Sequence, residues 1–390
     1  MPRRLVSAKA EVRTILGQPS WVIRNSQVEL ALTRLGGHMG PVTFKLGKRP
    51  IQPYHISPWQ GEGLELGCPC LVPLRGDFFC LPFGGNQTPL NGERHPPHGE
   101  TAGSPWTLAG METTARTTTL AASLKPQVRP GKITRQLSLV AGHNAVYCRT
   151  MIEGFAGPTT FAHHAMLAVP EQEKSLLVST SPFDFGMTFP GVFSDPAKGE
   201  YQSFAAGKRF TDLAKVPTRF KDAPAADCTA FPDRIGYADL LQLCEKPAAG
   251  QTPSWVAAVN KVDGWLWYAL KDPALMPARV FWIENHGRHS VPWNGRNRCL
   301  GIEDGRMCFD LGVAASSRPN VISRRGIPTS TNLDGSPFEI LYIQGAVRIP
   351  SGFGRVISVK FGKGTAAFVD EQGKRLPVPV SHEFIFGGSL

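Results

Sequence analysis

Apolar residues in this chain come in short, β-branched or aromatic runs, each closed by Gly, Pro, Asn or Asp. KITRQLSLV (132–140) and AVYCRTMIEG (145–154) flank AGHN, a run of turn residues, and predict a hairpin. ARTTTLAASL (115–124), SWVAAVN (254–260), GWLWYAL (264–270), RVFWIEN (279–285), FEILYIQGAV (338–347), GRVISVKFG (354–362) and HEFIFGG (382–388) predict further strands. The best helix candidate is YADLLQLCEK (237–246), whose apolar residues can share one face. KDAPAADCTAFPD (221–233) and EKPAAGQTP (245–253) are rich in Pro and Ala and predict long loops. With no fixed repeat and no low-complexity linker, the pattern predicts an all-β, antiparallel architecture in one domain over residues 1–390.

Composition strengthens that expectation. Glycine and proline number 41 and 34, 75 of 390 residues together, against an average nearer roughly 12%. Such punctuation suits many strands joined by turns. The net charge of +11 suits an anionic small ligand such as a sugar phosphate. The basic residues are scattered without interleaved aromatics, so nucleic acid is not an expected partner. The opening MPRRLVSAKAEVRTILG lacks a signal peptide's apolar centre. No apolar run approaches the roughly 18 residues of a bilayer span, so no membrane association is expected. The expected location is cytoplasmic, with the eight cysteines reduced. Cys68 and Cys70 form C-x-C without the second close pair a zinc site requires, and read as small buried hydrophobes.

Polar residues that could do chemistry cluster in PLRGDFFCLPFGGN (73–86), NGERHPPHGETAGSPW (91–106), FAHHAML (161–167), FWIENHGRH (281–289) and WNGRNRCLGIEDG (293–305). His163 and His164 are adjacent in an apolar strand, so they point to opposite faces. Glu303 ends an apolar run, as either a turn carboxylate or a functional acid. His95, His98, Glu100 and a histidine of the 163–164 pair could make an N/O metal site. The two prolines of HPPH stiffen the loop against bringing both imidazoles onto one ion, so no metal is expected.

Taken in order, Arg75 in PLRGDFFCLPFGG, His98 in PPHGETAGSPW, His164 in HHAML and Glu303 in LGIED resemble the aldose 1-epimerases of the galactose mutarotase-like superfamily. The resemblance spans roughly residues 65 to 310. The chain differs from many members in having GDFFCLPF where they carry Gly-Arg-x-Asn-Arg, His163 where Asn or Leu is common, and Asp304 where Pro is common. No position matches the family's sugar-binding aspartate. The resemblance implies a large antiparallel β-supersandwich with few short helices and a cleft on one sheet's concave face.

It also implies a cofactor-free reaction: interconversion of the α and β anomers of a reducing sugar or sugar phosphate. A base takes the C1 hydroxyl proton while an acid protonates the ring oxygen. The ring opens, C1 rotates, and the ring recloses. The resemblance makes Glu303 the base and His164 the acid, with His98 holding the ring oxygen or a neighbouring hydroxyl. Arg75, His163, Trp106 and Trp293 are the candidate sugar-binding residues, and which histidine is the acid stays open. The alternative is a carbohydrate-binding protein of the same fold without turnover.

Overall fold

The computed structural model describes residues 10–47, 49–246 and 251–390. The N-terminal MPRRLVSAK and the AAG-containing centre of the 245–253 loop therefore lie outside the described residues. An eleven-stranded and a nine-stranded antiparallel sheet make up the body, and a three-stranded sheet (Val356–Gly362, Thr365–Asp370, Arg375–Pro379) packs behind the nine-stranded one. The protein is all-β, with a single five-residue α-helix, Gly312–Ser316, among the described residues. No described helix is long and apolar enough to cross a membrane.

The layering explains the unbroken apolar runs. In Ser254–Asn260, Val256 and Ala258 face the eleven-stranded sheet while Trp255, Ala257 and Val259 face the C-terminal sheet. A strand buried on both faces loses its polar alternation. The same effect misleads at YADLLQLCEK. Residues Tyr237–Cys244 form a strand, not the expected helix, with Leu241 and Leu243 in the inter-sheet core and Leu240 and Cys244 on the outer face. A short, doubly buried strand cannot be told from a helix by periodicity. HEFIFGG differs too: His382–Phe386 is a 3-10 turn. Phe384 and Ile385 are consecutive yet both buried, and Phe384 packs edge-on against Tyr147 at 5.4 Å. The expected hairpin forms, with Lys132–Val140 paired antiparallel to Ala145–Glu153.

Between the two large sheets lies a buried ionic network. Asp77 meets Arg135 at 2.5 Å and His163 Nδ1 at 3.2 Å. Asp304 meets Lys271 Nζ at 2.9 Å and Arg279 Nε at 2.8 Å, and accepts a hydrogen bond from Tyr342 at 2.8 Å. Glu245 completes it, 3.1 Å from Arg279 and 3.3 Å from Lys271. Three cations thus face three carboxylates, the pairing that makes buried charge tolerable.

Candidate active site

Strand register assembles the site. Phe161–Ala168 lies between Asp77–Cys80 and Arg298–Arg306, pairing His164 with both Phe78 and Glu303. Side chains alternate across a sheet, so this row of three shares the face turned away from the inter-sheet core. The neighbouring row of Phe79, His163 and Asp304 faces the inter-sheet core. Glu303 Oε1 lies 3.2 Å from His164 Nε2. The His164 ring stacks on Phe78 at 4.5 Å, and Phe78 stacks in turn on His38 at 4.2 Å.

The glycines of the two weak motifs now have physical reasons. In LGIE, a Cβ on Gly301 would lie 3.0 Å from Trp282 Cβ and 3.2 Å from Glu303 Oε1, so its absence lets the indole and the carboxyl pack side by side. In PPHGE, Gly99 has φ 75° and a Cβ there would meet the Leu81 carbonyl at 1.9 Å. That close approach brings His98 over the sheet, its backbone N–H donating to Gly84 O at 2.7 Å. The His98 ring stands edge-on to His164 at 5.2 Å.

These residues line a cavity of about 250 Å³ with Trp282, Trp293, Leu240, Phe193, Arg288, Asp310 and the Cys68–Leu74 segment. The volume falls just under the range of about 300–1,000 Å³ of typical small-molecule sites, which suits a single small ring. Aromatic faces dominate, and a few polar groups converge. Nδ1 of His98, Nδ1 of His164 and Nε1 of Trp282 are buried without a partner among the described residues. Unpaired buried polar atoms are costly, and a hydroxylated ligand can satisfy them.

Burial dominates the electrostatics. It pushes the Glu303 carboxyl well above the usual carboxylate range, and the nearby Asp310 carboxyl adds to the shift. It holds His164 well below the usual imidazole range, with His98 adding to the effect. His98 is lowered to about 4 and Asp310 raised to about 6, again chiefly by burial. Burial thus favours the neutral form of both groups, raising the carboxyl and lowering the imidazole. These directions favour a protonated glutamate, whereas the sequence resemblance makes Glu303 the base.

Three of the seven candidate residues do not reach the cavity. Arg75 is buried, its guanidinium donating to the carbonyls of Pro73 (3.1 Å), Ile15 (2.8 Å) and Leu16 (2.9 Å) and to Gln60. The chain turns at Gly76, φ 59°, which carries Arg75 away from the Phe78 face. His163 faces the inter-sheet core, bonded to Asp77 and stacked on Tyr342 at 4.2 Å. Trp106 is in the same core, donating to Thr101 O at 3.0 Å. Trp293 does line the cavity, edge-on to Trp282 at 5.6 Å.

The imagined metal ligands diverge. His95 pairs with Glu93 at 3.0 Å, and Glu100 accepts from the backbone of Gln127 and Val128. Among the described residues one three-residue cluster has metal-ligand spacing, Asp77, Cys148 and His163. Arg135 already holds its carboxylate, so a cation there would face a guanidinium.

Sequence reasoning missed Asp310 and Phe78 and did not single out Trp282 or Arg288, although the last two lie in the FWIENHGRH cluster. Arg288 extends over Phe193 and Trp293, centroid distances 5.0 and 5.7 Å, with Nε 3.5 Å from Glu284.

No protein-family model matches the sequence, and a search of curated proteins finds no match. Solved structures do match. A "putative aldose 1-epimerase" from Klebsiella pneumoniae is 12% identical, with TM-score 0.59 over 85% of this chain and 80% of that one. A "putative mutarotase" from Salmonella typhimurium is 11% identical, with TM-score 0.57 over 88% and 96%. A galactose mutarotase-like protein from Clostridium acetobutylicum is 11% identical, with TM-score 0.56 over 88% and 99%. The fold is the galactose mutarotase-like fold. Its two large antiparallel sheets match the architecture that the sequence resemblance implied.

Proposed function

We propose that the protein is an isomerase of the aldose 1-epimerase type, opening and reclosing the ring of a small reducing sugar by proton transfer. The observation that carries this reading is the Glu303–His164 pair, 3.2 Å apart on the floor of a sugar-sized, aromatic-lined cavity. A carboxyl and an imidazole that share one proton are what anomerisation needs: one group to take a proton from O1 and one to give a proton to O5.

In this reading the sugar lies between Phe78 and the Trp282–Trp293 pair, with its C–H faces against the rings. Glu303 starts protonated and donates to the ring oxygen as the C1–O5 bond breaks. His164 Nε2 accepts the C1 hydroxyl proton, leaving an aldehyde facing a carboxylate and an imidazolium. The open chain rotates about C1–C2, the hydroxyl returns its proton to Glu303, and O5 attacks the other face of C1 while His164 protonates the new anomeric oxygen. His98, kept neutral by burial, holds a hydroxyl in place through the opening. Asp310 takes the place of the sugar-binding aspartate that the sequence did not reveal.

Arg288 supports an anionic substituent on the sugar, a phosphate ester or a carboxylate, at the cavity rim. All eight cysteines are free, which supports a reducing, cytoplasmic setting. A non-catalytic sugar-binding protein would share the cavity but has no use for the shared proton. Anomer exchange followed by NMR across free and phosphorylated hexoses tests the proposal. Accelerated exchange of at least one sugar is expected, and binding of a sugar without any acceleration would sink it in favour of the binding protein.

A further inference from the structure

Cys68 and Cys70 stand in the wall of the same cavity and take no part in the chemistry above. Their sulfurs are 3.3 Å apart, in contact as thiol and thiol, and no other two thiols make such a contact among the described residues. Pro69 between them opens the short 3-10 turn Pro69–Leu71, whose rigid φ holds both side chains on one side of the loop. The loop is pinned at its end: Trp59 Nε1 donates to Leu71 O at 2.8 Å and Gln60 to Val72 O at 2.9 Å. Cys70 is buried and Cys68 is partly exposed, which gives one sulfur access and the other shelter.

We propose that Cys68 and Cys70 are a redox-active dithiol which a peroxide closes to a disulfide. The Cys68 thiol is held down to about 6 by the hydrogen bond from Cys70, so at neutral pH it is the thiolate, the form that attacks. Cys68 sulfur attacks one peroxide oxygen, the O–O bond breaks, and the departing hydroxide takes a proton to leave as water. The sulfenic acid so formed is 3.3 Å from its resolving thiol. Cys70 sulfur attacks it, the S–O bond breaks, and the second oxygen leaves as water with the Cys70 proton. Two thiols are oxidised by two electrons and one hydrogen peroxide is reduced to two waters.

The pair is placed to report on the site. Gly103, at the end of the loop that begins with His98, presses on it so closely that a Cβ there would lie 2.6 Å from Pro69 Cβ and 3.1 Å from Cys70 N. Drawing the two sulfurs from contact to the roughly 2.05 Å of a disulfide moves the segment on which the His98 loop rests.

The test is chemical and does not depend on any sugar. Native, reduced protein treated with limiting iodoacetamide is expected to label Cys68 first, the other seven cysteines being buried. Protein exposed to hydrogen peroxide, then unfolded and alkylated, is expected to show 8 − 2 = 6 labelled cysteines of its eight. Peptide mapping should join Cys68 to Cys70, and dithiothreitol should restore all eight. In Cys70→Ser, Cys68 should instead carry oxygen as sulfenic or sulfinic acid. Eight labelled cysteines after peroxide, or a missing pair that maps elsewhere, overturns the proposal whether or not the protein proves to be an epimerase.

Discussion

Glu303 and Asp304 are neighbours in sequence whose carboxyl groups lie on opposite faces of one sheet and are shifted in opposite directions by their surroundings. Asp304, between Lys271 and Arg279, is kept below the usual carboxylate range despite its burial, chiefly by the Arg279 guanidinium. Glu303, facing an aromatic cavity with another carboxyl nearby, is kept well above it. One strand thus supplies a carboxylate paired with two cations between the sheets and a carboxyl whose burial favours its protonated form. The alternation of β side chains is the only device needed.

Removing either member of the proton pair is expected to lower turnover by about 10²–10⁴-fold. Glu303→Gln keeps the shape and the hydrogen-bonding reach, so sugar affinity should change little. His164→Asn should behave alike. Because both groups serve one transfer, the double variant should lose less than the product of the single losses. Anomer exchange kinetics with the best substrate provide the check. Near-normal exchange in Glu303→Gln would defeat the mechanism.

The pH dependence follows from the directions of the shifts. His164 is lowered, so it stays neutral down to acidic pH and activity falls only when it becomes protonated. Glu303 is raised, so activity falls when it loses its proton, above the usual carboxylate range. A plot of kcat/KM against pH should be bell-shaped, the acid limb belonging to the imidazole and the basic limb to the carboxyl. The limbs of such a bell belong to the pair until a variant separates them. Residual activity of Glu303→Gln should have lost the basic limb, and that of His164→Asn the acid limb. The opposite pattern means that the glutamate begins the step ionised.

Disturbing the inter-sheet network should cost stability and leave the chemistry alone. Asp304→Asn leaves Lys271 and Arg279 facing only Glu245, and breaking a buried pair costs about 3–5 kcal/mol. His163→Asn removes one partner of Asp77 while Arg135 keeps its hold, so the expected loss is smaller, about 1–3 kcal/mol. Urea unfolding measures both. If His163→Asn abolishes turnover in a protein of normal stability, the strand register at the site is shifted by one residue.

How much of this was legible in the sequence depends on what each residue's signal measures. His98, His164 and Glu303, which line the cavity, stand out in the sequence because their glycine and strand contexts are local: Gly99 and Gly301 clear space within a residue or two. The strands were found for the same reason. Arg75 and Trp106 sit in equally suggestive motifs, yet their direction is set by Gly76 and by packing between sheets distant in sequence. Asp310 gave no signal, because it comes to the cavity from an irregular stretch after the Arg298–Arg306 strand. Tyr237–Cys244 looked helical because its burial on two faces erased the period-two pattern. The strong burial of Glu303 and His164 is not written in a local motif, because burial depth is set by strands distant in sequence.

Exhaustive chelation is expected to leave activity unchanged. His95 and Glu100 are held by separate partners, Glu93 and the Gln127 backbone, away from His98, and the proposed proton transfers use only Glu303 and His164. Loss of activity on treatment with a chelator, and its return with stoichiometric zinc, would contradict this.

Arg288 should set the preference among sugars. Its guanidinium lies over two aromatic rings at the cavity rim, a fixed and partly desolvated position in which a planar cation recognises a phosphate or carboxylate well. Hydrogen bonds to charged groups contribute about 1.5–3 kcal/mol, and each 1.4 kcal/mol is about a tenfold change in affinity. Arg288→Gln should therefore raise KM for a phosphorylated sugar by about ten- to a hundredfold, with kcat nearly unchanged. Neutral sugars should lose little, because the Phe78 and Trp282 faces that hold their rings are intact. A uniform loss across charged and neutral sugars would mean that Arg288 shapes the cavity through Trp293 instead of reading the substituent. Arg288→Lys separates the two cases further: a point charge keeps part of the anion preference, whereas the guanidinium contact with Phe193 and Trp293 is lost.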